Sequence, residues 1–382
     1  MRELLKGNET LAYAVSQAKV DFIPVFPITP QTSIIESLAE YVQNGHMKAY
    51  YVPMESEHSV MAACIGSVST GVRTFTATSG QGLVYMHELL HWASGSRLPI
   101  VMGVVNRALA PGWNIWMDQT DTVSQRDTGW IQIYATNHQE VYDHLFIAYR
   151  LAEKVLLPVM LVLDAFFLSH TMGELQVEET AKISAFLTDK LDIPFAVDFD
   201  NPRMLGSLTA PDEYMEYRYG IEHAFLEAKK QLPFIYQEFE EKFGRKYEIM
   251  DTFQAEDAEV LLFLTGTLYE TAYTTIKMLR DEGIKAGIAK VRFLRPFFDE
   301  EIRALAVGKK QIIVIDRNFS FGKNGVFADE IKSVLYGFDI PFQSVIAGLG
   351  GRDVTANTIA EIVRKTLRGE LPAIHWEGEI YE

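Results

Sequence analysis

The sequence contains a single cysteine, Cys64, among its 382 residues. One thiol cannot form a disulfide within the chain. It also cannot hold a cysteine-ligated iron–sulfur cluster, which takes about four thiolates. Because Cys64 lies in the apolar run SVMAACIGS, we expect it to be a small buried hydrophobic residue rather than a nucleophile.

The sequence also lacks an apolar run of about 20 residues, the length that a membrane-spanning helix needs. Its N-terminus has no basic segment followed by an apolar one, so no signal peptide is expected. Positive charge is scarce, since 35 Lys and Arg stand against 51 Asp and Glu. We therefore expect a cytoplasmic protein with no membrane span that does not bind nucleic acid.

Apolar runs typical of strands alternate with helix-like stretches over the first 175 residues. The runs that predict strands are 21–30, 49–53, 73–79, 99–106 and 158–166, and the predicted helices are 31–45, 58–71, 82–95 and 141–155. Several strand runs are apolar on both faces. This pattern favours a parallel, doubly wound sheet with helices on both sides.

A second α/β unit begins near residue 257, after an irregular segment at 167–235 and a charged helix that starts at Ile221. Its predicted strands are 258–266, 285–297, 311–318 and 340–351, and its predicted helices are 268–283, 299–308, 327–337 and 354–369. We therefore predict an α/β fold of two consecutive doubly wound domains. The first is residues 1–235, with a long irregular extension from about 167, and the second is residues 236–382.

The segment HELLH matches the HExxH signature of zinc peptidases, in which His87 and His91 would bind Zn²⁺ and Glu88 would act as general base. However, the segment falls in a helix between two predicted strands of a parallel sheet. A metzincin would also continue with Gly and His where Ser94 and Arg97 stand. We favour a crossover helix with no metal on this chain, and a zinc peptidase remains the alternative.

Four loops that follow predicted strands carry polar residues, and ligands bind at the carboxyl edge of a parallel sheet. FPITPQT holds Thr29, VPMESEHS holds Glu57, TATSGQGL holds Gln81 and Gly82, and VVNRALAPGWNIW holds Arg107. Each has a plain interpretation as a helix cap, a strand-to-helix turn or a structural ion pair. Each also has a functional one, as a ligand-binding hydroxyl, a carboxylate for a cofactor nitrogen, a phosphate-binding turn or a site for a substrate carboxylate.

Three further acids, Asp118, Asp121 and Asp127, lie in WMDQTDTVSQRDTGW. Their spacing does not match that of an EF-hand calcium loop. We therefore expect them to belong to a solvated or capped loop.

Taken together and in order, these loop motifs strongly resemble the α subunit of 2-oxoacid:ferredoxin oxidoreductases, of which pyruvate:ferredoxin oxidoreductase is the best-known member. The motifs are FPITP, MESEHS, GVRTFTATSGQGL, RLPIVMGVVNRALA and SQRDTGW, followed in the second domain by RPF, DRNFSFG and GLGGRDV. The resemblance covers nearly the whole chain. It implies a pyrimidine-binding domain for thiamine diphosphate, followed by a transketolase-C-terminal-like domain.

The resemblance implies oxidative decarboxylation of a 2-oxoacid with coenzyme A to acyl-CoA and CO₂. Pyruvate is the expected substrate. A branched-chain or aryl 2-oxoacid is the alternative, because Trp113 stands where the family often has smaller residues. The diphosphate group and Mg²⁺ are expected on a β subunit, and [4Fe-4S] clusters on γ and ferredoxin-like δ subunits that pass electrons to ferredoxin or another acceptor. The single cysteine agrees with the placement of the clusters on other subunits, because this chain lacks the thiolates to hold one.

Residue roles also follow from the resemblance. Glu57 matches the glutamate that hydrogen-bonds N1′ of the aminopyrimidine, which helps the cofactor lose its C2 proton. Thr29 matches the threonine that contacts the substrate, and Arg107 matches the arginine that binds the 2-oxoacid carboxylate. Gln81 and Gly82 would line the cofactor loop. A third interpretation, a non-catalytic scaffold subunit, stays open.

Overall fold

The fold is described by a computed structural model for residues 1–187, 191, 193–202 and 204–379. In these residues helices and mostly parallel strands alternate along the chain, so the predicted α/β class is confirmed. No helix in the same residues is long and apolar enough to cross a membrane.

The first unit is built on a sheet of parallel strands. The strands of this unit are β1 Arg2–Lys6, β2 Phe22–Val25, β3 Tyr50–Pro53, β4 Phe75–Thr78, β5 Val101–Asn106, β6 Ile131–Tyr134, β7 Val159–Asp164 and β8 Met172–Gln176, of which β1 and β8 form a separate antiparallel pair. The order β6-β7-β5-β4 is parallel throughout, and a bridge between Phe22 and Thr74 joins the parallel pair β2-β3 beside β4. Strands β5 and β7 are buried along their whole length, as expected for a sheet covered on both faces.

Helices cover both faces of this sheet. They are α1 Gly7–Gln17, α2 Thr32–Gln43, α3 Glu57–Val68, α4 Gly80–Tyr85, α5 His87–Gly95, α6 Thr120–Val123, α7 His138–Val155, α8 Thr180–Phe186 and α9 Tyr214–Phe243. Cys64 of α3 is fully buried, and burial raises the pKa of its thiol, which confirms the prediction for this residue.

The second unit is a sheet of order β15-β14-β13-β10-β11-β9, in which only the pair β11-β9 is antiparallel among the described strands. Its strands are β9 Thr252–Phe253, β10 Val260–Leu264, β11 Ala286–Lys290, β13 Gln311–Asp316, β14 Phe342–Ile346 and β15 Ile374–Trp376, and its helices are α10 Leu268–Asp281, α11 Asp299–Ala306, α12 Val326–Val334 and α13 Ala356–Leu367.

The two units share a hydrophobic core. Met102 and Val162 of the first sheet lie in one buried cluster with Phe263 and Val314 of the second. The strand β12 Phe293–Arg295 follows β11 directly but pairs with β6 of the first sheet in an antiparallel arrangement. The predicted single strand at 285–297 was therefore wrong, because its two halves belong to different sheets.

Other elements also differ from the sequence prediction. The predicted helix at 82–95 is two helices, α4 and α5, separated at Met86. The segment at 167–235 is more regular than predicted, since it contains β8, α8 and the start of α9, which continues through Pro233. Residues 188–190, 192 and 203 of that segment lie outside the described residues.

A buried polar network joins the carboxyl ends of the two sheets. Asp164, at the end of β7, lies 3.1 Å from Nη1 of Arg317 and accepts hydrogen bonds from the backbone N–H and the hydroxyl of Thr267 at 2.7 and 2.6 Å. The backbone N–H of Gln119 donates to the carbonyl of Arg317 at 2.8 Å. The loop after β5 is therefore anchored on the second unit.

Candidate active site

Glu57 is the first residue of α3, directly after β3. The preceding Ser56 caps the helix, because its hydroxyl accepts a hydrogen bond from the backbone N–H of Ser59 at 3.2 Å. The side chain of Glu57 is only 7% exposed, yet within the described residues no cation lies within ion-pair distance of its carboxylate. This buried acid is therefore free to bind a group that the chain itself does not supply.

Gly82 provides the space in which the carboxylate of Glu57 lies. A Cβ atom placed on Gly82 would be 2.5 Å from Oε1 of Glu57 and 2.6 Å from Oγ1 of Thr78. Both distances are shorter than any normal van der Waals contact. The structure thus brings together Glu57 and Gly82, two of the residues predicted from the sequence, although they belong to different loops.

The turn between β4 and α4 carries polar side chains without partners. Among the described residues, no hydrogen bond is made by the buried Oγ1 of Thr78, Oγ of Ser79, or Oε1 and Nε2 of Gln81. Buried polar groups in folded proteins are almost always hydrogen-bonded, because leaving one unpaired costs about 1–3 kcal/mol. Together with Glu57, these atoms form a polar surface suited to a heterocyclic ligand with nitrogen donors and acceptors.

Arg107 follows β5 and lies against the same turn. Its aliphatic carbons would be 3.2–3.4 Å from a Cβ atom on Gly80, and its Nη1 donates to the carbonyl of Thr29 at 2.9 Å. Burial lowers the pKa of Arg107, an effect partly offset by the negative charges of Asp121 and Glu57. An arginine guanidinium is not deprotonated in proteins, and Nε of Arg107 has no partner among the described residues, so the side chain keeps a donor for an anion.

Thr29 lies in an exposed position of the loop after β2. Two side-chain hydrogen bonds fix the backbone of this loop. Nδ2 of Asn8 donates to the carbonyl of Pro30 at 2.8 Å, and Nε2 of Gln31 donates to the carbonyl of Phe26 at 2.8 Å. The hydrogen bond from Arg107 to its carbonyl places Thr29 beside the guanidinium. The three residues predicted as catalytic thus lie at one edge of the first sheet.

The expectation that three acids, Asp118, Asp121 and Asp127, belong to a solvated or capped loop is wrong for Asp121. Asp127 is exposed, as expected for a solvated position, and Asp118 is capped as expected, because its carboxylate accepts the backbone N–H of Thr120 at 2.8 Å. Asp121, by contrast, is fully buried, and burial raises its pKa to about 7. The expectation failed because its carboxylate points inward and accepts hydrogen bonds from the ends of two other loops.

Comparison with known proteins decides the family. Residues 13–234 match the family model described as pyruvate flavodoxin/ferredoxin oxidoreductase, thiamine diphosphate-binding, and residues 258–359 match pyruvate:ferredoxin oxidoreductase core domain II. The chain belongs to the family of 2-oxoacid:ferredoxin oxidoreductase α subunits. The resemblance inferred from the motifs is therefore confirmed, and the protein is an oxidoreductase subunit with a thiamine diphosphate-binding domain.

Relatives in this family match over nearly their full length. The chain is 48% identical to the ketoisovalerate oxidoreductase subunit VorA of Pyrococcus horikoshii, covering 96% of this chain and 95% of the relative. It is 42% identical to the pyruvate synthase subunit PorA of Methanothermobacter thermautotrophicus, with 98% of each chain covered. Both the pyruvate and the branched-chain expectations fit these relatives.

A solved structure shows the same fold. The 2-oxoglutarate:ferredoxin oxidoreductase from Magnetococcus marinus superimposes with a TM-score of 0.76 at 18% identity, covering 95% of this chain. The present chain spans 65% of the length of that solved chain. At this identity the likeness concerns the fold alone.

The HELLH segment of this oxidoreductase subunit lies within the thiamine diphosphate-binding match, in the connection between β4 and β5. Nδ1 of His87 is 2.5 Å from Oε1 of Gln125, and a carboxylate oxygen of Glu88 is 4.0 Å from the ring of His58. In the part of the chain that the structure describes, no three His, Cys, Asp or Glu side chains are grouped to hold a metal ion. The segment is explained as the helical connection that follows the turn at Ser79 and leads to β5.

Trp113 lies in the loop that continues from Arg107. Its side chain is 78% exposed. The next residue, Asn114, donates from Nδ2 to the carbonyl of Gly350 at 3.0 Å, which ties the loop to the GLGGRDV motif of the second unit. The indole therefore lies on the outside of this chain, where it is available to a substrate or to a partner subunit.

Proposed function

We propose that this chain is the α subunit of a thiamine diphosphate-dependent oxidoreductase complex that converts a 2-oxoacid and coenzyme A to acyl-CoA and CO₂. The observation that carries the proposal is the contact of the buried Glu57 carboxylate with Gly82, beside a turn of unpartnered polar atoms. At this edge of the sheet the carboxylate of Glu57 provides a group for the cofactor, and the guanidinium of Arg107 provides a group for the substrate.

The donor set fits the pyrimidine half of thiamine diphosphate. Glu57 would accept a hydrogen bond from a ring nitrogen, and Gln81 would supply both a donor and an acceptor. When bound, the cofactor supplies the carbon nucleophile and the electron sink for decarboxylation. The carboxylate of Glu57 would hold the proton at that ring nitrogen, and this hydrogen bond would favour the form of the cofactor whose reacting carbon can lose its proton.

Arg107 and Thr29 would act on the substrate. The guanidinium of Arg107 binds the carboxylate of the 2-oxoacid through charge-assisted hydrogen bonds, and its own hydrogen bond to the carbonyl of Thr29 fixes its direction. The hydroxyl of Thr29, exposed on the same loop, is then available to the 2-oxo oxygen. Orientation of the reacting groups in this way lowers the barrier by removing rotational freedom before the reaction.

The remaining groups are assigned to partner subunits. A β subunit would bind the diphosphate group with Mg²⁺, and γ and ferredoxin-like δ subunits would carry [4Fe-4S] clusters. The single cysteine supports this arrangement, because such a cluster takes about four thiolates. The relatives are themselves named as subunits. Ferredoxin is the proposed electron acceptor.

For the substrate we favour a branched-chain 2-oxoacid such as 2-oxoisovalerate over pyruvate, the substrate expected from the motifs alone. The identity to three subunits named for ketoisovalerate is 47–48%. The identity to five subunits named for pyruvate is 41–43%. An aryl 2-oxoacid, which the exposed Trp113 could contact, is a further outcome that the same experiment distinguishes.

A substrate panel tests this choice. The assembled complex is assayed with thiamine diphosphate, coenzyme A and a dye acceptor on pyruvate, 2-oxoisovalerate and phenylglyoxylate. We expect kcat/KM for 2-oxoisovalerate to exceed that for pyruvate by about tenfold or more, because each extra methyl group buried in an apolar pocket improves binding in the transition state. Reactions without coenzyme A or without the cofactor are the controls. A preference for pyruvate would contradict the substrate proposal while leaving the reaction type intact.

Arg107→Ala tests the catalytic proposal against the scaffold alternative. We expect KM for the 2-oxoacid to rise about 10- to 100-fold, because a hydrogen bond to a charged group contributes about 1.5–3 kcal/mol. The control is Arg126→Ala, which removes a guanidinium at 3.7 Å from Asp127 on a neighbouring loop and should leave KM unchanged. Normal turnover of the Arg107→Ala complex would favour a scaffold role for this chain.

A further inference from the structure

Asp121 lies behind the candidate active site and touches both of its loops. Oδ2 of Asp121 accepts the backbone N–H of Gly80 and the backbone N–H of Arg107, each at 3.0 Å. Its other oxygen accepts Nδ2 of Asn106 at 2.6 Å and the backbone N–H of Thr122 at 2.7 Å. The carboxylate is fully buried, and every contact made by its two oxygens comes from an N–H group.

The two backbone groups on Oδ2 belong to the two halves of the site. Gly80 begins α4, which also contains Gly82, against which the carboxylate of Glu57 lies. Arg107 carries the guanidinium assigned to the substrate carboxylate. Because one oxygen atom binds both backbone groups, a displacement of either loop breaks or stretches a hydrogen bond to the same carboxylate.

Resting on the proposed function, we propose that Asp121 is a positioning residue that holds the cofactor loop and the substrate-binding arginine in one fixed arrangement. It touches neither substrate nor cofactor. It acts through Gly80 and Arg107, and the side chain of Arg107 also packs on the Cα face of Gly80. Loss of the carboxylate should therefore weaken cofactor binding and substrate binding together.

The hydrogen-bond pattern predicts which replacements retain this function. In Asp121→Asn the amide oxygen can still accept Gly80 and Arg107, provided that its NH₂ group takes the place of Oδ1, where it faces Asn106 and loses only the hydrogen bond from the backbone N–H of Thr122. Oδ1 of Asn106 has no partner among the described residues, so Asn106 can reverse its amide and accept from that NH₂ group. Asp121→Ala loses all four hydrogen bonds. Asp121→Ser retains a hydroxyl for Thr122 but is one bond too short to reach Gly80 and Arg107.

Asp316 offers a matched control for the loss of a buried carboxylate. It is fully buried, and burial raises its pKa to about 7, as for Asp121. Its oxygens accept the backbone N–H groups of Phe327 and Ala328 at 3.0 Å and Nδ2 of Asn318 at 2.9 Å, which fixes the start of α12 in the second unit. Asp316→Ala should therefore lower stability without acting on the loops of Gly80 and Arg107.

The experiment compares these variants in the assembled complex. The measurements are Tm, the Kd for thiamine diphosphate, KM for the 2-oxoacid, and hydrogen exchange in peptides that contain the backbone amides of Gly80 and Arg107. We expect Asp121→Ala and Asp121→Ser to raise both Kd and KM about tenfold or more and to speed exchange in both peptides, because small misplacements of a site carry large costs. Asp121→Asn should stay within about threefold of the wild type in both constants.

The outcomes separate the inference from the proposed function. Asp316→Ala should lower Tm with Kd and KM unchanged. If Asp121→Ala and Asp121→Ser behave like Asp316→Ala, or move only one of the two constants, the positioning role is overturned while the proposed function stands. A wild-type complex without turnover of any 2-oxoacid would overturn the proposed function and the inference that rests on it. If Asp121→Ala does not assemble, Asp121→Ser alone decides the result.

Discussion

Replacing Glu57 by glutamine should lower kcat of the assembled complex about 1,000-fold while the complex still assembles. The glutamine keeps the shape of the side chain but cannot hold the proton of the ring nitrogen, and loss of a general acid–base group costs about 10²–10⁴ in rate. Two measurements check this result: steady-state turnover of the 2-oxoacid, and exchange of the C2 proton of bound thiamine diphosphate with deuterium. Both should fall together, because the proton removal precedes every later step.

The motif MESE contains its own control. Glu55, two residues before Glu57, is exposed and hydrogen-bonds the hydroxyl of Ser59. Glu55→Gln removes the same charge from the same loop, and it should leave both rates within about twofold of the wild type, since exposed surface substitutions have small effects. Full activity of Glu57→Gln, or equal losses in the two variants, would show that the carboxylate of Glu57 does not act on the cofactor.

The loops that carry the site could be predicted because parallel strands place their carboxyl ends at one edge. Thr29, Glu57 and Arg107 follow three different strands, and the sequence pattern identified all three loops. The contact between Glu57 and Gly82 could not be predicted in the same way. It depends on the approach of the N-terminus of α3 to the start of α4, and no spacing along the chain encodes that approach.

The first unit also contains a strand that no local pattern could assign. The run KAGIAKVRFLRPF reads as one strand, but Arg292, within it, is fully buried, with its guanidinium 3.1 Å from the carboxylate of Glu140. Glu140 belongs to α7 of the first unit and also pairs with Lys290. These ion pairs lie where the chain leaves one sheet for the other. A buried charge is stable only when paired, and both carboxylates that pair with Arg292 are distant in the sequence, since Glu140 lies 152 residues away and Asp251 lies 41 residues away.

Asp121 shows why polar loops are hard to interpret from sequence. An acid in a segment of Asp, Gln, Thr and Ser is usually solvated. Here the donors come from Gly80 and Arg107, which precede Asp121 by 41 and 14 residues, and from Asn106. Two chain segments, at Gly80 and at Asn106–Arg107, present N–H groups that need a buried acceptor. The sequence does not show that these N–H groups meet at Asp121, because their proximity depends on the three-dimensional fold.

Gly82→Ala should reduce kcat about 100-fold or more, close to the effect of removing the acid itself. The added Cβ would lie 2.5 Å from Oε1 and 2.9 Å from Cδ of Glu57, so the carboxylate has to leave its position. The new Cβ cannot move away from Glu57 toward Thr78, because the hydroxyl of Thr78 would lie 2.6 Å from it. Since a displacement of about 1 Å in an active site can cost 10²-fold, the variant should retain the acid but lose its function. Turnover and C2 proton exchange measure the loss.

Gly66→Ala is the matched control for this prediction. Gly66 lies in α3, the helix that Glu57 begins, and a Cβ atom there would meet nothing within 4 Å. Alanine is about 1 kcal/mol more favourable than glycine inside a helix, so Gly66→Ala should raise Tm slightly and leave kcat unchanged.

A normal kcat for Gly82→Ala would contradict this prediction. It would mean that the carboxylate of Glu57 can act from a second position and that its contact with Gly82 is not needed for turnover. A loss of kcat in Gly82→Ala with an unchanged C2 exchange rate would instead locate the defect after proton removal, at the substrate side of the turn where Gly80 meets Arg107. Comparison of kcat for Gly82→Ala and Gly66→Ala therefore distinguishes an effect on the position of the Glu57 carboxylate from an effect on the stability of α3.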